Sequence, residues 1–174
     1  PPPPPPPPPL FLKQRRPPTS TPKPSSAASD VYKRQALDLE ESVLGALMLE
    51  KDALTNVIDI LKPENFYKDA NKEIYQSIID LFNESEPIDL LTVTSQLKKN
   101  GKLEYVGGSF SVTQLTTRVN SASNIEYHAR IILEQSIKRQ LIEVSGEVQK
   151  EAYEDTTDVF DLLDNTEQSL FDIS

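Results

Sequence analysis

The chain has 174 residues, with 18 basic and 27 acidic side chains, one histidine and no cysteine. That length suffices for one domain with a buried core, and the composition leaves no disulfide framework or thiolate metal site. No apolar run approaches the length of a membrane span, and no apolar segment is flanked by the small-residue cleavage site of a secretory signal, so a cytoplasmic protein is expected.

Character changes near Gln35. Thirteen of the 15 prolines lie in residues 1–35, together with six basic residues and a single acid, Asp30. Pro1–Pro9 has the composition of a polyproline II rod, and the polar remainder cannot bury a core. Ser25–Gln35 (SSAASDVYKRQ) resembles the in-frame translation of a transposase-type sequencing adaptor, and Arg15–Thr21 (RRPPTST) resembles the flow-cell adaptor of the same library, apart from Thr19. Residues 1–35 are therefore expected to be a disordered leader, an assembly artefact outside the fold. Residues 36–174 then carry 12 basic and 26 acidic side chains, a net charge of −14. Such a surface repels a phosphate backbone, since duplex binding needs clustered cations to replace counterions. The densest basic pairs are Lys98 with Lys99 and Lys138 with Arg139. A basic protein partner suits this balance better than DNA.

The first helix is predicted to start at Asp38, an N-cap with Glu41 three residues on, and to bury Leu39, Val43, Leu44, Leu47 and Met48 as far as Leu49. Asp52 opens a second helix through Leu61, stopped by Pro63. Phe66 and Tyr67 plug the core. A third helix covers Asn71–Phe82, burying Ile74, Tyr75, Ile78, Ile79, Leu81 and Phe82. Pro87 and Asp89 begin a fourth, Leu90–Asn100, with Leu91, Val93, Thr94 and Leu97 inward and Gly101 as its C-terminal stop. Gly107 and Gly108 make a turn before a fifth, Ser111–Arg118, which buries Val112, Leu115 and Val119.

The most informative stretch is Ser123–Tyr153. It has no proline, and its one glycine is Gly146. Ala129, Leu133, Ile137, Leu141, Val144, Val148 and Ala152 recur in steps of three and four, which keeps one helical face apolar. Ile125, Ile131 and Ile132 form a second patch, and Ser123 with Glu126 has the form of a capping box. At 1.5 Å per residue the helix is about 45 Å long, so part of its stripe is expected to project from a small domain and meet a partner, the alternative being a long core helix in a bundle. The candidate partner interface comprises Ile125, His128, Ile132, Leu133, Ile137, Leu141, Val144 and Val148. A last amphipathic helix, Val159–Ile173, carries Phe160, Leu163, Leu170 and Phe171. No strand pattern appears. The fold class is all-α: a compact head of about five short helices over residues 36–122, then a helical arm or hairpin over 123–174.

Chemistry is hard to find. No glycine precedes a lysine and a hydroxyl residue, as a phosphate-binding loop requires. His128, the lone histidine, is read as a packed or interface residue rather than a metal ligand. Glu40 with Glu41, and Asp161 with Asp164, lie at helix starts or on a solvated face. No catalytic residue, metal or cofactor is assigned. An enzyme built on these carboxylates and a helical DNA-binding or stand-alone interaction module remain as alternatives.

The motifs fall in a familiar order: LDLEESVLGALML (Leu37–Leu49), NFY (Asn65–Tyr67), PIDLLTV (Pro87–Val93), Leu97–Leu103 with its internal glycine, VGG (Val106–Gly108), SNIEYHARII (Ser123–Ile132) and KRQLI (Lys138–Ile142). This resembles the N-terminal domain of the bacterial replicative DNA helicase family, DnaB, over Ala36–Ser174, in a version similar to the Bacteroidetes branch. The resemblance implies the collar of a hexameric ring, in which these domains pair through helical arms and dock the C-terminal domain of primase. It also implies that ATP, magnesium and DNA unwinding belong to a motor elsewhere in the parent.

Overall fold

The computed structural model describes residues 1–7, 26–119 and 124–173, and among these every regular element is helical. Six α-helices follow in order: α1 (Ser26–Leu49), α2 (Asp69–Asn83), α3 (Leu90–Lys99), α4 (Gly108–Thr117), α5 (Ile125–Ala152) and α6 (Val159–Ile173). The expected all-α class is what the chain adopts.

The head is built around the last turns of α1. Val43, Leu44, Leu47 and Met48 are buried there, and α4 and α5 pack along this helix. Tyr75 and Ile78 of α2, Val93 and Leu97 of α3, and Val112 and Leu115 of α4 close the same core. Phe66 reaches into it and meets the Tyr75 ring at 4.9 Å between centroids. The Tyr75 hydroxyl donates to the Leu61 carbonyl at 3.1 Å, which satisfies its polar end inside an apolar setting.

Several boundaries differ from expectation. The first helix begins at Ser26, not Asp38, because no proline or glycine interrupts the backbone before Gly45. Asp52–Leu61 is not an α-helix. It is a run of tight turns with a 3-10 turn at Leu54–Asn56, still burying Leu54, Val57 and Leu61. A second 3-10 turn, Pro63–Asn65, starts on the proline, whose missing N–H is harmless there. Leu91 and Phe82 are exposed, since only Val93 and Leu97, or Ile74, Tyr75, Ile78 and Leu81, face the core squarely. Tyr67 lies outside it while Phe66 fills it. The expected Ser123 cap lies outside the described residues; α5 follows Asn124, which makes no side-chain cap.

Helix ends follow local chemistry. Asp89 accepts from the backbone N–H groups of Leu91 and Thr92 at 2.8 and 2.9 Å, and the Thr92 hydroxyl receives the Asp89 N–H. These bonds to the charged form hold the Asp89 carboxyl below its ordinary range. At the other end of α3, Gly101 takes φ +70°, so that the Lys102 N–H reaches the Leu97 carbonyl at 2.8 Å. The same closure ends α2, but there Ser85 occupies the left-handed position at φ +56°.

A helical arm and the polar clasp at its base

The α5 helix does two jobs. Its first half belongs to the head: Ile125, Ala129 and Ile132 are buried in the common core, with Leu133 packed against it. Ile125 and Ile132, expected at a partner interface, are instead covered by their own chain. The separation by four and three residues puts them on one face, but periodicity does not say what covers that face. His128 is half-buried beside the Tyr127 ring, 6.2 Å between centroids, and Ile137 is half-buried nearer the arm.

Beyond residue 139 the helix leaves the head and α6 folds back along it. Val144, Val148 and Glu151 line a shallow groove with Leu162, Thr166 and Ser169. Asp158 starts α6 by accepting the Phe160 N–H at 2.8 Å. No described residue of α6 is fully buried. The apolar residues that mark it in the sequence, Phe160, Leu163, Leu170 and Phe171, all face outward, while Leu162, Thr166 and Ser169 line the groove with α5. On α5 itself Leu141 is 40% and Ile142 73% exposed. These two, with Ser145, Gly146 and Gln149, border an open depression that contains no charged side chain. Of the expected stripe beyond the head, Leu141 is exposed while Val144 and Val148 turn partly toward α6; Ile142, which lies outside that stripe, is more exposed still.

A cluster of polar groups joins arm to head. Glu40 on α1 is buried and accepts the Tyr67 N–H, the Lys68 N–H at 3.4 Å and the Asn71 side-chain amide at 2.8 Å. Burial pushes its carboxyl above the ordinary value of 4.5, against the pull of these donors and of Arg139. Asn65 accepts the Lys62 N–H at 2.7 Å and donates to the Ser136 hydroxyl on α5 at 3.3 Å. Arg139, one turn further, donates to the Asn65 carbonyl at 2.7 Å and lies 5.4 Å from the Tyr67 ring centre. Residues 62–68 are therefore held by α1 on one side and α5 on the other. Sequence reading placed Glu40 at a solvated helix start; in the fold it is a structural acceptor that reaches no cleft. Glu41 beside it pairs with Arg118 and, at 3.6 Å, with Lys68. Among the described residues no group of three or more His, Asp or Glu side chains is placed to hold a metal. Among the described residues no helix is long and apolar enough to cross a membrane.

Known proteins share this arrangement. The family model described as DnaB-like helicase N terminal domain matches residues 32–134. The replicative DNA helicase DnaB of Rhodothermus marinus is 44% identical over 140 residues, covering 80% of this chain and 15% of that protein. The replicative DNA helicase DnaC of Bacillus subtilis is 37% identical over 146 residues, 84% of this chain and 32% of that protein. The chain thus spans a third or less of these curated relatives. Among solved structures, the N-terminal domain of DnaB helicase from Mycobacterium tuberculosis matches with a TM-score of 0.73 at 34% identity, over 78% of this chain and 96% of that one. The N-terminal domain of DnaB helicase from Helicobacter pylori, described with its interactions with primase, matches in fold with a TM-score of 0.63 at 22% identity, over 71% of this chain and 97% of that one.

Proposed function

The chain belongs to the family of DnaB-like helicase N-terminal domains, and on that premise we propose that it is an assembly and docking module of a replicative helicase. In this reading the arm pairs with the arm of a second copy within a hexameric collar, and the domain receives the C-terminal domain of primase. It performs no catalysis. ATP, magnesium and strand separation belong to the motor part of the parent helicase, and DNA contacts lie there too, as the acidic balance of this domain implies.

The observation that carries the reading is the bare α5 face around Leu141, Ile142 and Gly146. A helix face without charges, with a glycine at its centre, lets a second helix approach closely and bury Ile142. The Leu141 and Ile142 side chains lose water on both copies when two such faces meet. Sedimentation of the 174-residue chain should show dimers or larger species. The Ile142→Asp variant should shift the balance toward monomer, with a cost of about 2–4 kcal/mol for a buried interface position. A strict monomer at high concentration, or full association of the variant, would overturn the pairing. Titration with the C-terminal domain of a primase tests docking separately.

A further inference from the structure

The polar clasp sits where the arm leaves the head, and we propose that residues 62–68 are a latch that fixes the angle between the two, with Arg139 as its catch. The α5 helix is continuous from the head core into the arm. Ser136, 2% exposed, is its last buried residue. Arg139 follows about one turn later and, among the described residues, is the last side chain of α5 to hydrogen-bond outside its own helix. Both meet the same residue. Asn65, 8% exposed, gives its side-chain amide to Ser136 and its backbone carbonyl to Arg139, while its side-chain oxygen accepts the Lys62 N–H of its own turn. Tyr67, two residues on, is tied to α1 through Glu40 and turns its ring to the Arg139 guanidinium. One short segment therefore joins the centre of the head to the root of the arm.

Bond type decides what such a joint does. Apolar side chains attract without direction, so a crossing held by them alone tolerates tilting. Hydrogen bonds weaken steeply when bent, so a joint that adds them favours one angle. Buried serine and asparagine gain little as adhesive, since each polar atom must regain in bonding what it lost in hydration. They suit a joint that sets direction. The catch is also reversible. Arg139 is half-buried, and its partners are a neutral carbonyl and a ring; among the described residues no carboxylate lies within ion-pairing distance of it. Neutral acceptors hold a guanidinium less firmly than charged ones. Leverage makes the angle matter. Residues 139–153 add about 20 Å of helix, so a tilt of about 20° at the latch carries the arm tip through about 7 Å. The inference concerns a single chain and does not depend on the pairing reading; where arms pair, the latch angle sets where the second head lies.

The chain has no cysteine, so Asn83→Cys on α2 and Asp155→Cys in the turn between α5 and α6 put spin labels at one exposed head position and one exposed arm position. Pulsed electron–electron double resonance reads their separation, with excess unlabelled chain to keep one labelled copy per assembly. The parent should give a single narrow distance. Arg139→Met, which keeps the length of the side chain but not its donors, should broaden that distance or shift its mean by about 5 Å or more, as the leverage requires. Lys150→Met, further along α5, should leave it unchanged. One-dimensional proton NMR should show the head folded in each variant. Should Arg139→Met fail to fold, Ser136→Ala, which removes the acceptor of the Asn65 amide, decides by the same measure. The inference is overturned by an unchanged narrow distance in Arg139→Met, by a broad distance in the parent, or by equal broadening in Lys150→Met. Loss of the fold in both Arg139→Met and Ser136→Ala overturns it as well, because those residues would then support the core rather than steer the arm. Sedimentation decides pairing separately: a strict monomer with a latched arm sinks only the pairing, and a paired chain whose arm angle ignores Arg139 sinks only the latch.

Discussion

Gly45 and Gly146 both lie in the interior of α-helices, yet the same substitution to alanine should move stability in opposite directions. A Cβ built on Gly45 would stand 2.2 Å from the Leu115 carbonyl oxygen, 2.8 Å from its carbonyl carbon and 2.6 Å from Val119 Cγ2. Two of those three atoms are backbone of α4, which cannot swing aside as a side chain can. The helices would have to separate by about 1 Å, and a gap of that size forfeits a quarter to a half of each dispersion contact along the crossing. Overpacking of this kind costs about 1–3 kcal/mol, and a backbone obstacle puts Gly45→Ala at the upper end. Alanine returns about 1 kcal/mol of helix propensity. The net expectation is a loss of about 2 kcal/mol, or a melting temperature lower by about 4–8 °C for a chain of this size. Gly146 has nothing within 4 Å of such a Cβ, so Gly146→Ala should raise arm stability by about 0.5–1 kcal/mol. Urea and thermal unfolding followed by far-UV circular dichroism, at dilution low enough to limit association, would measure both. A Gly45→Ala variant as stable as the parent would refute the close crossing of α1 on α4.

Three further substitutions probe other parts of the fold. Glu40→Gln should cost about 2 kcal/mol in denaturant titrations, because an amide must turn one donor toward donors that a carboxylate accepted. The folded Glu40 carboxyl keeps its proton to higher pH than its ordinary value of 4.5, so its contribution to stability declines as pH rises through the window just above 4.5. Glu40→Gln should flatten that slope, and an unchanged pH profile would count against burial as the cause. Ser85→Gly should stabilise by about 0.5–1 kcal/mol, because serine at φ +56° pays a steric cost that glycine does not; a loss of stability in the same unfolding assay would contradict this. Ile132→Asp should unfold the head rather than merely prevent pairing, since it buries a charge among Ile125, Ala129 and the residues of α1; a folded monomer by one-dimensional proton NMR would show that Ile132 lies outside the core after all.

Much of the helical order could be read from residue spacing. Asp89 before Leu90 marked the start of α3, Gly101 its end, and the last helix runs from Val159 to Ile173 as its pattern required. The helices that were misjudged are those where local propensity and tertiary packing disagree. Asp52–Leu61 has a helical period but curls into tight turns beneath the head, where Leu54, Val57 and Leu61 are buried without needing a regular helix. The arm was legible as a projecting surface because its apolar stripe outran any small core. Which residues it presents was not. Ile125 and Ile132 are apolar residues of the same helix as the exposed positions, and only the contact with α1 distinguishes them.

Periodicity and capping chemistry act within a few residues, so the order of letters alone determined that this chain is helical, acidic and equipped with a long amphipathic arm. Only the tertiary structure decided that Glu40 is buried beneath residues 62–68, that Gly45 is a contact point for α4, and that α6 turns Phe160, Leu163 and Phe171 outward. A repeat of 3.6 residues states which side chains share a face. What stands opposite that face depends on segments far away in the chain, and no local rule contains that information.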